Sequence, residues 1–157
     1  MLLKHFRGEA TAVIDADPDL VFAAITDPAR LPLWNRRIAG IVQPPARPLA
    51  EGVEWKVQMA VPPARWVSRT RVLSYDPQQR RVRHRSQSDD GNPTYVDWTW
   101  TVTPTGGASH VHVDWDAHVK TFWRQLLFAK LRRSQLTDEV PVSLGALAYH
   151  IADREPR

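Results

Sequence analysis

The chain has 157 residues, 43% of them hydrophobic and 24% charged, with a formal net charge of +4. These totals describe one globular domain with room for a sizeable core, and the absence of cysteine excludes a disulfide framework and thiolate chemistry. Seventeen of the 21 basic residues are arginine, a skew that GC-rich coding produces as readily as phosphate binding, so nucleic acid is not an expected partner.

Residues 5–15 open as a strand, with Phe6, Gly8, Ala10, Ala12 and Ile14 alternating against Arg7, Glu9 and Thr11. Asp17 then caps a helix whose first residue is Pro18, where a missing N–H costs nothing. Asp27 and Pro28 repeat the signal for a second, shorter helix ending at Trp34 and Asn35. These two helices plug one end of whatever sheet follows. Six further strands are predicted over 38–43, 53–60, 66–75, 81–88, 94–103 and 109–119. Their connections carry turn residues, among them Val61-Pro62-Pro63-Ala64, Asp89-Asp90-Gly91-Asn92-Pro93 and Thr105-Gly106-Gly107. Connections this short imply an antiparallel meander. The loops at 61–65 and 89–93 then share one rim with the junction near Lys120. A long amphipathic helix is predicted from 121 to 153, with Phe122, Trp123, Leu126, Leu127 and Leu131 on one face opposite Arg124, Lys130, Arg132 and Arg133. Pro141 is expected to bend or restart it, with Val142, Leu144, Leu147 and Ile151 as its second apolar segment. No linker or repeat interrupts residues 1–157, read as a single domain. The opening residues are too short and polar for a signal peptide, and no apolar run reaches membrane-spanning length; the default expectation is a cytoplasmic protein.

Period-two alternation separates the two faces of the sheet. Trp55, Trp66, Trp98, Trp100 and Trp115 fall on the side that the helix covers, together with Met59. Ser68, Thr70, His84 and Ser86 fall on that side too, in two neighbouring strands. An indole-rich wall with a few convergent polar groups is how a ligand cavity is lined, whereas a dry core is built from smaller branched residues. The predicted lining is therefore Trp34, Trp55, Met59, Trp66, Ser68, Thr70, His84, Ser86, Trp98, Trp100 and Trp115, closed by Leu127 and Leu131 from the helix. The alternative is that the polar groups satisfy one another across a filled core.

The order of elements, with Asp17-Pro18-Asp19-Leu20-Val21-Phe22 and Thr26-Asp27-Pro28-Ala29-Arg30-Leu31-Pro32-Leu33-Trp34-Asn35 after the first strand, resembles the START-like (SRPBCC) superfamily. Within it the chain is most similar to bacterial proteins of the polyketide cyclase/dehydrase type. The resemblance covers nearly the whole chain. It implies an α+β helix-grip fold, a seven-stranded antiparallel sheet curled around a long C-terminal helix, with a ligand cavity between them. It supplies no universal catalytic residue.

His84 is the one titratable side chain placed on the concave face, where a neutral imidazole can serve as general acid or base in a cyclisation or dehydration. No second acid or base is paired with it, and a core histidine bonded to Ser68, Ser86 or an indole is the plainer reading. His110, His112, Asp114 and His118 have metal-like spacing, but on the charged outer face; no metal is expected. Arg69, Arg71, Arg81, Arg83 and Arg85 form an outer basic face, paired across strands with Asp97, Asp114 and Asp116 or open to a phosphate. No Gly-rich phosphate loop, nucleophile elbow or His-Glu-X-X-His motif is present, and no cofactor is expected. The expected function is carriage or sensing of a small hydrophobic molecule, aromatic, polyketide-like or lipid. A cofactor-independent cyclase or dehydratase using His84 is the alternative, and a protein-interaction module on the basic face a third. A homodimer is left open.

Overall fold

The computed structural model of the chain describes residues 4–121 and 129–154. Seven antiparallel strands form one sheet in the order β1-β7-β6-β5-β4-β3-β2. They are β1 (His5–Ile14), β2 (Ile38–Gln43), β3 (Glu54–Val61), β4 (Ala64–Asp76), β5 (Arg81–Ser88), β6 (Tyr95–Thr105) and β7 (Ala108–His118). Between β1 and β2 lie α1 (Pro18–Ile25), a 3-10 turn (Pro28–Arg30) and α2 (Leu31–Trp34); α3 (Ala129–Arg154) follows β7. The expected fold class is the observed one, with strand ends displaced by one or two residues.

The local chemistry explains the punctuation. The Asp17 carboxylate accepts the Asp19 N–H at 2.8 Å, and the Asp27 carboxylate accepts that of Ala29 at 3.1 Å. Both caps thus satisfy an amide that the helix start leaves without an internal partner. At the β6–β7 hairpin, Gly106 and Gly107 take φ of 53° and 84° between the paired residues Thr105 and Ala108. Side chains rarely adopt that left-handed pair, which is why glycine occupies it.

The first strand pairs with the last at one edge of the sheet. β1 lies beside β7, with His5 opposite His118 and Ile14 opposite Ser109. Ser109 is wholly buried, and its hydroxyl donates to the Ala16 carbonyl at 2.6 Å, fixing the exit of β1 to the start of β7. Replacing Ser109 by alanine is expected to cost about 1–2 kcal/mol, because the carbonyl loses its side-chain donor in a dry place. Urea unfolding measures it, and an unchanged midpoint would mean that the bond contributes nothing.

The C-terminal helix corrects the expected places of Leu131, Val142 and Arg132. It runs through Pro141 without a break. Pro141 is exposed while Leu136, Val140, Leu144, Leu147 and Ile151 are buried, so the apolar face is held on both sides of the lost hydrogen bond. Leu131 is 56% exposed and Val142 45% exposed, not in the apolar face. The buried stripe passes through Ala129 and Leu136, and Leu131 lies about 200° round the axis from Ala129. Arg132, expected on the polar face, is half-buried. Leu127, with Phe122, Trp123, Arg124 and Leu126, lies outside the described residues.

Candidate functional site

Register brings the concave side chains into rows. One row crosses the sheet through Val72, His84, Trp98, Trp115 and Gly8, and the next through Trp55, Thr70, Ser86, Val96, Ala117 and Phe6. The two ends of the concave face differ. At the plug end Val82, Trp100, Val102, Val111 and Val113 are all buried, and α1 packs on β6 and β7. Trp34 is 2% exposed and meets Trp100 edge-on, with ring centroids 5.7 Å apart. Trp34 and Trp100 are therefore packed together in that plug. Trp55 and Trp115, with Ser68 and Thr70, are buried as well.

The rim end is looser. Met59, Trp66, His84, Ser86, Val96 and Trp98 share the concave face, yet each keeps accessible surface. Trp98 donates its indole N–H to the Ser86 hydroxyl at 3.0 Å, which leaves the Ser86 O–H free to donate elsewhere. The His84 ring stacks on Trp98 at 6.4 Å between centroids and tilts against Trp55 at 6.1 Å. Its Nδ1 is sealed and has no hydrogen-bond partner among the described residues.

Desolvation pushes the His84 pKa down from 6.5 to about 4, and the nearby Asp97 charge only partly opposes it. The imidazole is thus neutral at pH 7, with a low proton affinity. The ring sits half-buried on the concave face. Two grooves on the outer face, of about 240 and 630 Å³, are lined largely by charged residues such as Glu54, Arg69, Arg83 and Asp114. They are open and polar, and offer an apolar molecule little to bury against.

Sequence reasoning missed a charged cluster beside Trp66. Glu139 accepts a hydrogen bond from Arg132 Nη1 at 3.0 Å and forms an ion pair with Arg37 Nε at 2.9 Å, and its side chain is only 10% exposed. The signal was there: residues seven apart, two turns, lie on one helix face.

On the outer face Arg85 forms a two-pronged pair with Asp97, at 2.7 and 2.9 Å, and lies 4.0 Å over the Tyr95 ring. The histidines do not gather as their spacing suggested. His112 pairs with Glu9 across the strands at 3.0 Å. His118 instead joins His5 and Arg7 around Asp116, with three metal-capable atoms within 4.8 Å of one another. Burial pushes the Asp116 pKa up, but the His5 and Arg7 hydrogen bonds and the His5 and His118 charges outweigh it and hold the carboxyl below its ordinary value. Arg7 already supplies a cation there, so the group reads as a clamp between β1 and β7.

A family model for polyketide cyclase/dehydrase and lipid transport proteins matches residues 5–151. The chain belongs to that family. Among curated proteins none matches this family member by sequence. Its fold is shared with solved structures across their whole length. The Zhui aromatase/cyclase from a Streptomyces species superposes with a TM-score of 0.79 at 13% identity, covering 97% of this chain and 96% of that one. TTHA0849 from Thermus thermophilus gives 0.75 at 18% identity, covering 96% and 100%. Ginseng major latex-like protein 151 from Panax ginseng gives 0.70 at 12%, covering 93% and 97%. At these identities the likeness is one of fold. No helix among the described residues of this polyketide cyclase/dehydrase family member is long and apolar enough to cross a membrane.

Proposed function

We propose that the protein binds a small apolar molecule, aromatic, polyketide-like or lipid, in a hollow at the rim end of its concave face. The observation that carries this reading is the grading of that face. The plug end is closed, whereas Met59, Trp66, His84, Ser86, Val96 and Trp98 keep accessible surface. The indoles and the thioether supply apolar contact, and the free Ser86 O–H and the unpaired His84 orient a ligand hydroxyl or carbonyl. Native mass spectrometry of the purified protein is expected to show a co-purified apolar molecule. Trp98→Ala is expected to weaken binding of aromatic ligands about tenfold or more, since it removes both a wall and the Ser86 partner. A protein that carries nothing and whose tryptophan fluorescence ignores a panel of aromatic and lipid ligands would refute the reading.

The second reading is a cofactor-independent cyclase or dehydratase, which the unpaired His84 imidazole favours. A group with a pKa of about 4 is free of protons at pH 7 but takes one up weakly, so it suits hydrogen bonding better than proton abstraction. No acid or base among the described residues hydrogen-bonds to it, and binding is therefore the first reading. His84→Gln separates the two. Retained binding with lost turnover establishes the enzyme, and weakened binding with no turnover in either protein establishes the carrier.

A further inference from the structure

The Arg132, Glu139 and Arg37 cluster carries more positive than negative charge. Glu139 takes Arg132 Nη1 on both oxygens, at 3.0 and 3.3 Å, and forms an ion pair with Arg37, whose Nε lies 2.9 Å away. Among the described residues Glu139 is the only carboxylate that either guanidinium meets. One negative charge set between two positive ones leaves a surplus of +1 in a place where Glu139 is 10%, Arg132 26% and Arg37 36% exposed. A surplus charge partly withdrawn from bulk water favours the arrival of a counter-charge.

The surplus is placed beside Trp66. The Arg132 guanidinium carbon lies 5.9 Å from the centre of the Trp66 ring, and Trp66 is paired across the sheet with Met59, both on the rim-end lining. Arg132 commits only Nη1 to Glu139. Its other edge, Nε–H with Nη2–H, makes no hydrogen bond among the described residues, and that edge is the planar fork which fits a carboxylate with two parallel bonds. Desolvation also pushes the Arg132 pKa down, as it does for a cation short of counter-charge.

We propose that the free edge of Arg132 is a carboxylate subsite, so that the ligand is an apolar carboxylic acid whose body lies against Trp66 and Met59 and whose anionic head sits on the guanidinium. Glu139 positions the fork by holding its opposite edge, and Arg37 supplies part of the field. This rests on the apolar-ligand reading above and names the chemical class of that ligand.

Calorimetric titration at pH 7.5 with 2-naphthoic acid and with its methyl ester tests it, because the two share an apolar body and differ in the charge. Wild-type protein is expected to bind the acid about tenfold or more tighter than the ester, the scale of a charge-assisted pair of bonds. Arg132→Met is expected to abolish that preference while binding the ester within about twofold of wild type, Met keeping the apolar stem. Arg132→Lys keeps the charge without the fork and is expected to retain part of the preference. Should the Met variant not fold, the Lys variant and salt decide: added salt is expected to weaken the acid and spare the ester. Equal affinity of acid and ester for the wild type, with neither variant altering it, overturns the subsite and leaves the apolar-ligand reading standing. Failure of the wild type to bind either compound overturns both.

Discussion

Gly8→Ala is expected to destabilise the protein by about 2–3 kcal/mol, the cost of forcing extra volume into a packed interior. A Cβ built on Gly8 would come within 2.2 Å of Trp115 Cζ2 and 2.4 Å of its Cε2. The Trp115 indole lies flat across β1 at this point, 3% exposed, with Trp98 on its other flank at 5.8 Å between centroids. It cannot move aside without displacing Trp98, which holds Ser86. In an ordinary strand the same change would be mildly favourable, since glycine has the larger conformational freedom to lose. Gly40→Ala is the control, because a Cβ there meets nothing within 4 Å. Thermal or urea unfolding of the two variants gives the contrast, and a Gly8→Ala protein as stable as Gly40→Ala would show that the indole does not rest on β1. A loss of ligand affinity in Gly8→Ala is expected to accompany the loss of stability, the rim-end wall being displaced with the ring.

Acid is expected to remove about 3 kcal/mol of stability through His84 alone between pH 7 and pH 4. Its pKa falls from 6.5 to about 4 on folding because burial disfavours the imidazolium. Between those values the unfolded chain binds the proton and the folded one does not. Stability is therefore fully present above pH 6.5 and drains away as pH falls towards 4, the sign expected for a histidine buried in its neutral form. Asp116 acts in the same direction at lower pH: its carboxyl is held down in the folded state, so its contribution is present above the unfolded value and lost as pH falls through the folded one. Comparing wild type with His84→Gln across the range isolates the histidine, because the variant lacks the group and keeps every other titration. Parallel stability curves for the two proteins from pH 7 to pH 4 would mean that His84 is hydrated, and the closed rim-end hollow would go with it. Ligand that bonds the neutral imidazole is expected to bind more weakly only as pH falls to about 4 and below, where the folded ring takes up its proton.

Much of the fold was legible because its signals are local. Asp17-Pro18 and Asp27-Pro28 place two helix starts, Gly106-Gly107 fixes a hairpin, and period-two alternation assigns the sides of β3 to β7 except near Tyr75. Tyr75 escaped because β4 shifts register between Val72 and Ser74, so Tyr75 returns to the concave side and stacks on Phe22 at 6.0 Å. A bulge of one residue inverts every assignment beyond it, and alternation by itself carries no sign of where one occurs. The site was legible by face and not by depth. Nothing local distinguishes Trp34 and Trp100, locked in the plug, from Trp98, which keeps accessible surface, since all are large aromatics on apolar faces.

By itself the sequence determined which strand residues face inward up to the β4 bulge and beyond β4, where the chain turns, and that one long helix follows a meander of strands, because each depends on neighbours within a few positions. Only the tertiary structure decided which inward residues are sealed and which keep surface, and that Leu131 faces solvent while Arg132 turns in beside Trp66. It alone brought Arg37, Arg132 and Glu139 to one point, and His5 to Asp116. The physical reason is that burial and charge pairing depend on distances between segments far apart in the chain, which periodicity cannot encode.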